Sequence, residues 1–205
     1  MHPNPAFRQT PDTATLAFAR DRAFGTLAVN AEGGPLLSHV PILVSPDAES
    51  VDLHLVRSNP ILRLLPGRAV ISINGADGYV SPDWYEVPDQ VPTWNYVAAH
   101  LRGRLERLRD GAMRDMLDRQ SAAYEERLHP KTPWTADKMS PEVLERMMRQ
   151  IVPCRLHLEE VHATWKLSQN KPEEVRLRAA DAMENAGIGS ETLLLSALMK
   201  APPRA

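Results

Sequence analysis

The strongest constraint on this 205-residue chain is a series of short β-rich runs, each closed by Gly, Pro, Asn or Asp. FGTLAVN (24–30), PLLSHVPILV (35–44), SVDLHLV (50–56), RAVISIN (68–74) and GYVS (78–81) follow one another at short spacing. Branched and apolar side chains suit the pleated, half-buried surface of a sheet, and the punctuating residues suit turns. With a further run over 94–109 the count is about six strands, the pattern of an antiparallel barrel or sandwich. Glu32-Gly33-Gly34 joins the first two as a hairpin, because glycine reaches positive φ without steric cost.

The stretch VPTWNYVAAHLRGRL (91–105) sharpens this reading. Trp94, Tyr96, Ala98, His100, Arg102 and Arg104 point one way, and Val97, Ala99, Leu101 and Leu105 the other. The second row suits a core. The first row is aromatic at its top and basic at its bottom, which suits either a ligand surface or a subunit interface.

Helical texture lies around and between these runs. Asp12 is placed to cap a short helix over TATLAFARDRA. Asn59 and Pro60 open another in NPILRLLPG. Over 110–129 the period changes, and Met113, Met116, Leu117, Gln120, Tyr124 and Leu128 share one helical face. Ser140 and Pro141 start a third helix, strand texture returns over 153–168, and a closing helix pair is split by Gly187-Ile188-Gly189. The last five residues, APPRA, read as a frayed end.

A hydrophobic fraction of 43% with 24% charged residues is ordinary for a folded domain and argues against disorder. The formal net charge of -2 gives no global electrostatic reason to seek nucleic acid or an anionic membrane. A single cysteine, Cys154, excludes an intramolecular disulfide and any multi-cysteine metal site, as a reduced cytoplasm would have it. Its setting, IVPCRLHL, is that of a packed core thiol. The opening MHPNPAFRQT lacks a signal-peptide layout, and no run approaches the roughly 18 apolar residues that span a bilayer. The expectation is a cytoplasmic protein.

Of the seven histidines none forms a compact ligand pair, and His157 and His162, five apart in a strand, face opposite sides. No metal site is expected. A G-x-S-x-G elbow, a Walker loop and a dinucleotide fingerprint are also missing, so a glycine-rich loop does not hold phosphate here. Hydroxyls, arginines and the amides of a helix start do the same work. Arg57, Ser58 and Asn59 offer these where a strand meets a short helix, with Arg63 one turn on; the plainer account is a helix cap beside a solvated arginine. Ser38 and His39 form a polar pair in an apolar strand, as an exposed face would also show. KLSQNK (166–171) carries a cation, a hydroxyl and amides that suit the carbonyls and ring nitrogens of a flat heterocycle, or simply a polar loop before a helix.

SPDWYEVPDQVPTWNYVAAHLRGRL together with the later WKLSQNK resembles the PaiB-type family, described as FMN-binding negative transcriptional regulators. FGTLAV, PLLSHVPILV and RSNPILR fall where that pattern expects them, so the resemblance covers roughly residues 1–172. The opening, Met-His-x-x-Pro, departs from the Met-Tyr-x-Pro type usual in the family, and the helices after Pro172 match weakly.

The resemblance implies an α+β, mainly β fold: a split β-barrel of the pyridoxamine-phosphate-oxidase type with peripheral and C-terminal helices. It implies an FMN-binding domain over 1–171 with inserted helices at 110–150, a helical extension over 172–205, and a homodimer with FMN at the subunit interface. Carried over by position, Ser38, His39 and Val40 would line the flavin, and Arg57, Ser58 and Asn59 would hold its phosphate. Thr93, Trp94 and Asn95 would reach the ring or the partner subunit, and Lys166, Ser168 and Gln169 would close the pocket. Two functions follow: a flavin-binding regulator, or a flavin-dependent oxidoreductase in which FMN does the chemistry. No residue stands out as a catalytic acid or base. Direct DNA binding has little support, because Glu106 and Asp110 dilute the basic segment RGRLERLR and LLLSALMK offers almost nothing to read a base edge.

Overall fold

The structure, a computed structural model, describes residues 2–203. Of the end expected to fray, Arg204 and Ala205 lie outside the described residues. In chain order the elements are α1 (Asp12–Arg22), β1 (Phe24–Val29), β2 (Leu36–Pro41), β3 (Leu43–Val44), β4 (Ser50–Val56), β5 (Gly67–Val80) and β6 (Thr93–Arg107). Then come α2 (Met113–Glu125), α3 (Pro141–Met148), β7 (Ile151–Lys166), α4 (Glu173–Glu184), β8 (Gly189–Ser190) and α5 (Thr192–Lys200). Hydrogen bonding orders the strands β2-β1-β5-β6-β7-β4-β3, with β8 paired to β5.

The chain forms two compact units, Met1–Arg22, Ser72–His100 and Val161–Ala205 in the first, and Ala23–Ile71 and Leu101–Glu160 in the second. The core of the first is one cluster of buried side chains. Val80, Val97, Trp165 and Leu167 from the sheet and its continuation pack with Tyr85 and with Val175, Ala179, Met183, Leu195 and Met199 of α4 and α5. Small residues on α4 let the helix pair lie close. The connector between the two helices is tied down as well: β8 pairs with β5 at Asp77↔Ser190 and Gly78↔Gly189.

In the second unit the expected hairpin joins β1 and β2 in antiparallel register, Thr26↔His39 and Leu27↔Ser38, and Gly34 takes a φ of 111° at the turn. β4 pairs with β3 and, over seven residues, with β7. Leu27, Val51, Leu53, Leu101, Leu105, Met116 and Leu156 are wholly buried. Asp52 is buried among them, and its carboxylate takes hydrogen bonds from Arg155 Nε and Nη2 at 2.7 and 3.0 Å and from Arg119 Nη2 at 2.8 Å. Burial alone would raise its pKa, but the two guanidiniums outweigh that and hold it below the ordinary aspartate value.

The alternation read over 91–105 is the one observed: Trp94, Arg102 and Arg104 are exposed, and Val97, Ala99, Leu101 and Leu105 are buried. Cys154 is a wholly buried thiol, its pKa pushed up to about 12 by burial. Two runs are divided differently from the sequence reading. PLLSHVPILV is divided at Ile42 into β2 and β3; the Ile42 N–H donates to Ala23 O in continuation of the β1–β2 register, and Ala23, with a left-handed φ of 53°, ends that ladder. Conversely, RAVISIN and GYVS are one 14-residue strand. Asn74, Gly75 and Gly78 look like turn residues, yet a Cβ on Gly75 would stand 3.0 Å from the Phe18 ring and from Val97, and one on Gly78 would stand 2.8 Å from Met183 Sδ. These glycines let side chains approach the strand rather than reverse it.

Candidate functional site

The twelve residues singled out in sequence fall into two groups, six in each unit. In the first unit, β6 begins at Thr93 and β7 ends at Lys166. Lys166 Nζ donates to Thr93 Oγ1, which ties the two strand ends together. Lys166 is half-buried, and the loss of water around its ammonium holds its pKa below the ordinary lysine value. One of its three N–H bonds is used by Thr93, and among the described residues no hydrogen-bond acceptor takes the other two. The next side chain along β6, Trp94, points to the opposite face and is 47% exposed, an unusual state for so large an apolar ring. Tyr79 meets it edge-on with centroids 6.4 Å apart, fixing the indole plane.

Asn95, Ser168 and Gln169 serve the frame. Asn95 is fully buried and donates through Nδ2 to Ser168 Oγ at 2.9 Å and to Met199 Sδ at 3.3 Å. Ser168 Oγ also shares a hydrogen bond with Tyr85 Oη at 2.8 Å, and Ser168 takes a left-handed φ of 60°. Gln169 accepts from Leu167 N at 2.8 Å and donates to Trp165 O, so both ends of its amide are committed to the main chain. This loop chemistry explains why KLSQNK is polar inside a buried setting. Lys171 completes it, its ammonium 4.3 Å from the centre of the Tyr85 ring.

In the second unit, Asn59 caps the 3-10 turn Pro60–Leu64 by accepting from Ile61 N at 3.0 Å, as its sequence position led us to expect. Its Nδ2 donates to Ser38 Oγ at 3.1 Å, so β2 and the 56–60 turn are joined through two of the singled-out residues. His39 and Ser58 are exposed, and Val40 is buried. Arg57 is exposed but tethered: Nε donates to Arg149 O at 2.6 Å, Nη2 donates to Ile151 O at 3.2 Å, and Asp110 lies 3.7 Å away. Among the described residues nothing accepts from Nη1. Ser38, Ser58, Asn59 and this half of Arg57 are groups that hold an oxyanion.

Sequence reasoning passed over Tyr79 and Tyr85. Tyr79 stands two residues from Asp77 in a strand of alternating burial, which places it on an outward row with a small polar neighbour and gave no cue to an aromatic partner. Tyr85 ends the 3-10 turn Pro82–Tyr85, and its burial comes from distant segments: Ser168 and Lys171 meet its side chain, and Arg178 of α4 donates to its carbonyl at 2.9 Å. Among the described residues no three His, Cys, Asp or Glu side chains come together as metal ligands would, and no helix is long and apolar enough to cross a membrane.

The strand order and helices define the class: an α+β, mainly β, split β-barrel. The same fold is seen in the FAD and heme binding protein from Mycobacterium smegmatis, with a TM-score of 0.56 at 17% identity over 78% of this chain and 73% of that one. It is seen also in the flavocytochrome Anf3 from Azotobacter vinelandii, with a TM-score of 0.57 at 13% identity over 80% and 72%. Within that class, residues 1–160 match the family described as "Putative FMN-binding domain", and the chain belongs to it. It is 29% identical over 183 residues, 87% of each chain, to the protease synthase and sporulation protein PAI 2 of Bacillus subtilis, in keeping with the PaiB-type resemblance of its motifs.

Proposed function

We propose that this chain binds FMN as a homodimer and acts as a negative regulator of transcription of the PaiB type. One observation supports it most: an exposed indole, Trp94, braced by Tyr79, stands next in sequence to Thr93, which holds the half-buried ammonium of Lys166. The two lie on opposite faces of β6, so each suits a different contact: the ammonium offers charge-assisted donors to the carbonyl edge of a flat ring, and the indole offers apolar area to a flat ring or to a partner subunit. In the proposal Thr93 and Lys166 on one face of β6, and Trp94 on the other, reach the isoalloxazine or the partner subunit, and Asn95, Ser168 and Gln169 fix the segments that carry them. Ser38, His39 and Val40 line the flavin from β2, and Arg57, Ser58 and Asn59 hold the phosphate.

The donor set fits the group. Hydroxyls, an amide and the Nη1 side of Arg57 suit a phosphate dianion without a glycine-rich loop. Bound FMN would supply a redox centre that accepts or gives a hydride or single electrons. The chain's own part is to position and desolvate it. The DNA contact of such a regulator would come from a symmetric dimer or a partner protein, since the chain's net charge is -2. Binding to random DNA is then weak and falls steeply with salt.

The test is the absorption spectrum of the purified protein before and after titration with FMN, with the oligomeric state followed in parallel. A flavin spectrum, saturable FMN binding and a dimer support the reading. A protein that takes up no FMN overturns it. Steady bleaching of bound flavin by NADH or NADPH favours the oxidoreductase instead.

A further inference from the structure

The first residues of the chain are a built element. Asn4 Oδ1 accepts from Ala6 N at 2.9 Å and caps the 3-10 turn Pro5–Phe7, and Arg8 Nη2 donates to Pro3 O at 3.2 Å. Phe7 is only 5% exposed. The segment is anchored to β7 by His2 N, which donates to Thr164 Oγ1 at 3.2 Å, two residues before Lys166. The His2 ring meets Phe7 edge-on at 4.8 Å, and the same Phe7 ring lies 6.0 Å below Lys166 Nζ. Phe7 is therefore a common floor for an imidazole and an ammonium. Asn4 N donates to His2 Nδ1 at 3.2 Å, which makes Nδ1 the acceptor and places the proton of the neutral ring on Nε2. Burial first, then the charges of Lys166 and Arg8, hold the His2 pKa below the ordinary histidine value, so the neutral form is the one favoured. Among the described residues no partner is recorded for Nε2.

From this arrangement we propose that His2 is a cofactor-binding residue, its Nε2–H donating beside the Lys166 ammonium to the acceptor edge of the isoalloxazine, a ring carbonyl or ring nitrogen. The inference rests on the reading that the chain binds FMN. A neutral donor next to a cation adds a hydrogen bond without adding like-charge repulsion. The folded 2–8 segment holds the imidazole rigidly through the Asn4 cap and the Thr164 anchor.

The test uses the full chain and FMN. His2→Asn keeps an acceptor near the place of Nδ1 and removes the distal donor, whereas His2→Gln carries an amide N–H out to the reach of Nε2. His2→Asn is expected to weaken FMN binding about tenfold with a thermal midpoint close to wild type, and His2→Gln to restore most of the loss. In the wild type the ¹⁵N resonance of His2 Nε2 shifts on FMN addition. If His2→Asn binds FMN as tightly as wild type, or if that resonance does not move while FMN binds, the inference is overturned and the functional reading stands. If His2→Asn loses affinity only in proportion to lost thermal stability, and His2→Gln rescues neither, the residue is a structural anchor and the inference is again overturned. A wild-type chain that binds no FMN overturns the functional reading itself, and this inference with it.

Discussion

Asn95 Nδ2 donates to Ser168 Oγ at 2.9 Å, joining residues seventy-three positions apart inside the core of the first unit. Tyr85 and Met199 complete the cluster, so the start of β6, the 166–171 loop and α5 are fastened at one point. Asn95→Ala removes the donor that Ser168 Oγ and Met199 Sδ share in a dry setting. The expected loss is about 1–3 kcal/mol of unfolding free energy, read from urea denaturation. A change below the error of that measurement refutes the assigned role.

Trp94 supports little of the fold, because nearly half of its surface is exposed. Trp94→Ala is expected to change stability by no more than about 0.5 kcal/mol. In the proposed function the same change weakens FMN binding about tenfold or loosens the dimer, an indole contact with an aromatic partner being worth roughly 0.5–1.5 kcal/mol beyond its area. Unchanged affinity and an unchanged sedimentation coefficient together exclude Trp94 from both surfaces.

Asp52 makes stability depend on acid. Its pKa is lowered on folding, so the carboxylate contributes fully above the unfolded value near 4 and the contribution is lost as pH falls through the folded value. Asp52→Asn is expected to cost about 2–4 kcal/mol at pH 7, less than a wholly buried pair because both arginines reach solvent. The gap between the two proteins should narrow below pH 4. A gap that stays constant from pH 7 to pH 3 is inconsistent with this ion cluster.

Cys154 is inert in the folded chain, since burial leaves almost no thiolate at neutral pH. Alkylation by iodoacetamide at pH 8 should follow the rate of unfolding and rise sharply in urea. Fast labelling in native buffer would mean that the β4–β7 pairing opens locally.

Gly103 lies where β6 comes up against the main chain of β7. A Cβ there would stand 1.8 Å from His157 O, and backbone cannot swing aside as a flexible side chain does. Gly103→Ala is expected to cost at least the upper end of the roughly 1–3 kcal/mol typical of overpacking, seen as a lowered thermal midpoint or insoluble expression. Full stability would show that the two strands separate easily at this point.

Part of this protein is written in local pattern. The two-residue alternation read over 91–105 sorted Trp94, Arg102 and Arg104 from Val97, Ala99, Leu101 and Leu105, and the Asn59-Pro60 pair marked a turn start, because strand pleat and capping are set within a few residues. The strings VPTWNY and KLSQNK marked the family. What these residues touch was not legible: Asn95 and Ser168 read as candidate ligand groups and meet inside the core, and Arg57, read as a phosphate holder, is also bound to the carbonyls of Arg149 and Ile151. Gly75 and Gly78 read as a break and lie within one strand, since the need for a missing side chain came from Phe18 and Met183 far along the chain. His2 shows the division most plainly. Read in sequence, His2 is no more than an imidazole in an extended opening. Its tautomer, its anchor on Thr164 and its nearness to Lys166 exist only once β7 and the 2–8 segment are packed together, because a hydrogen bond between distant residues has no local signature.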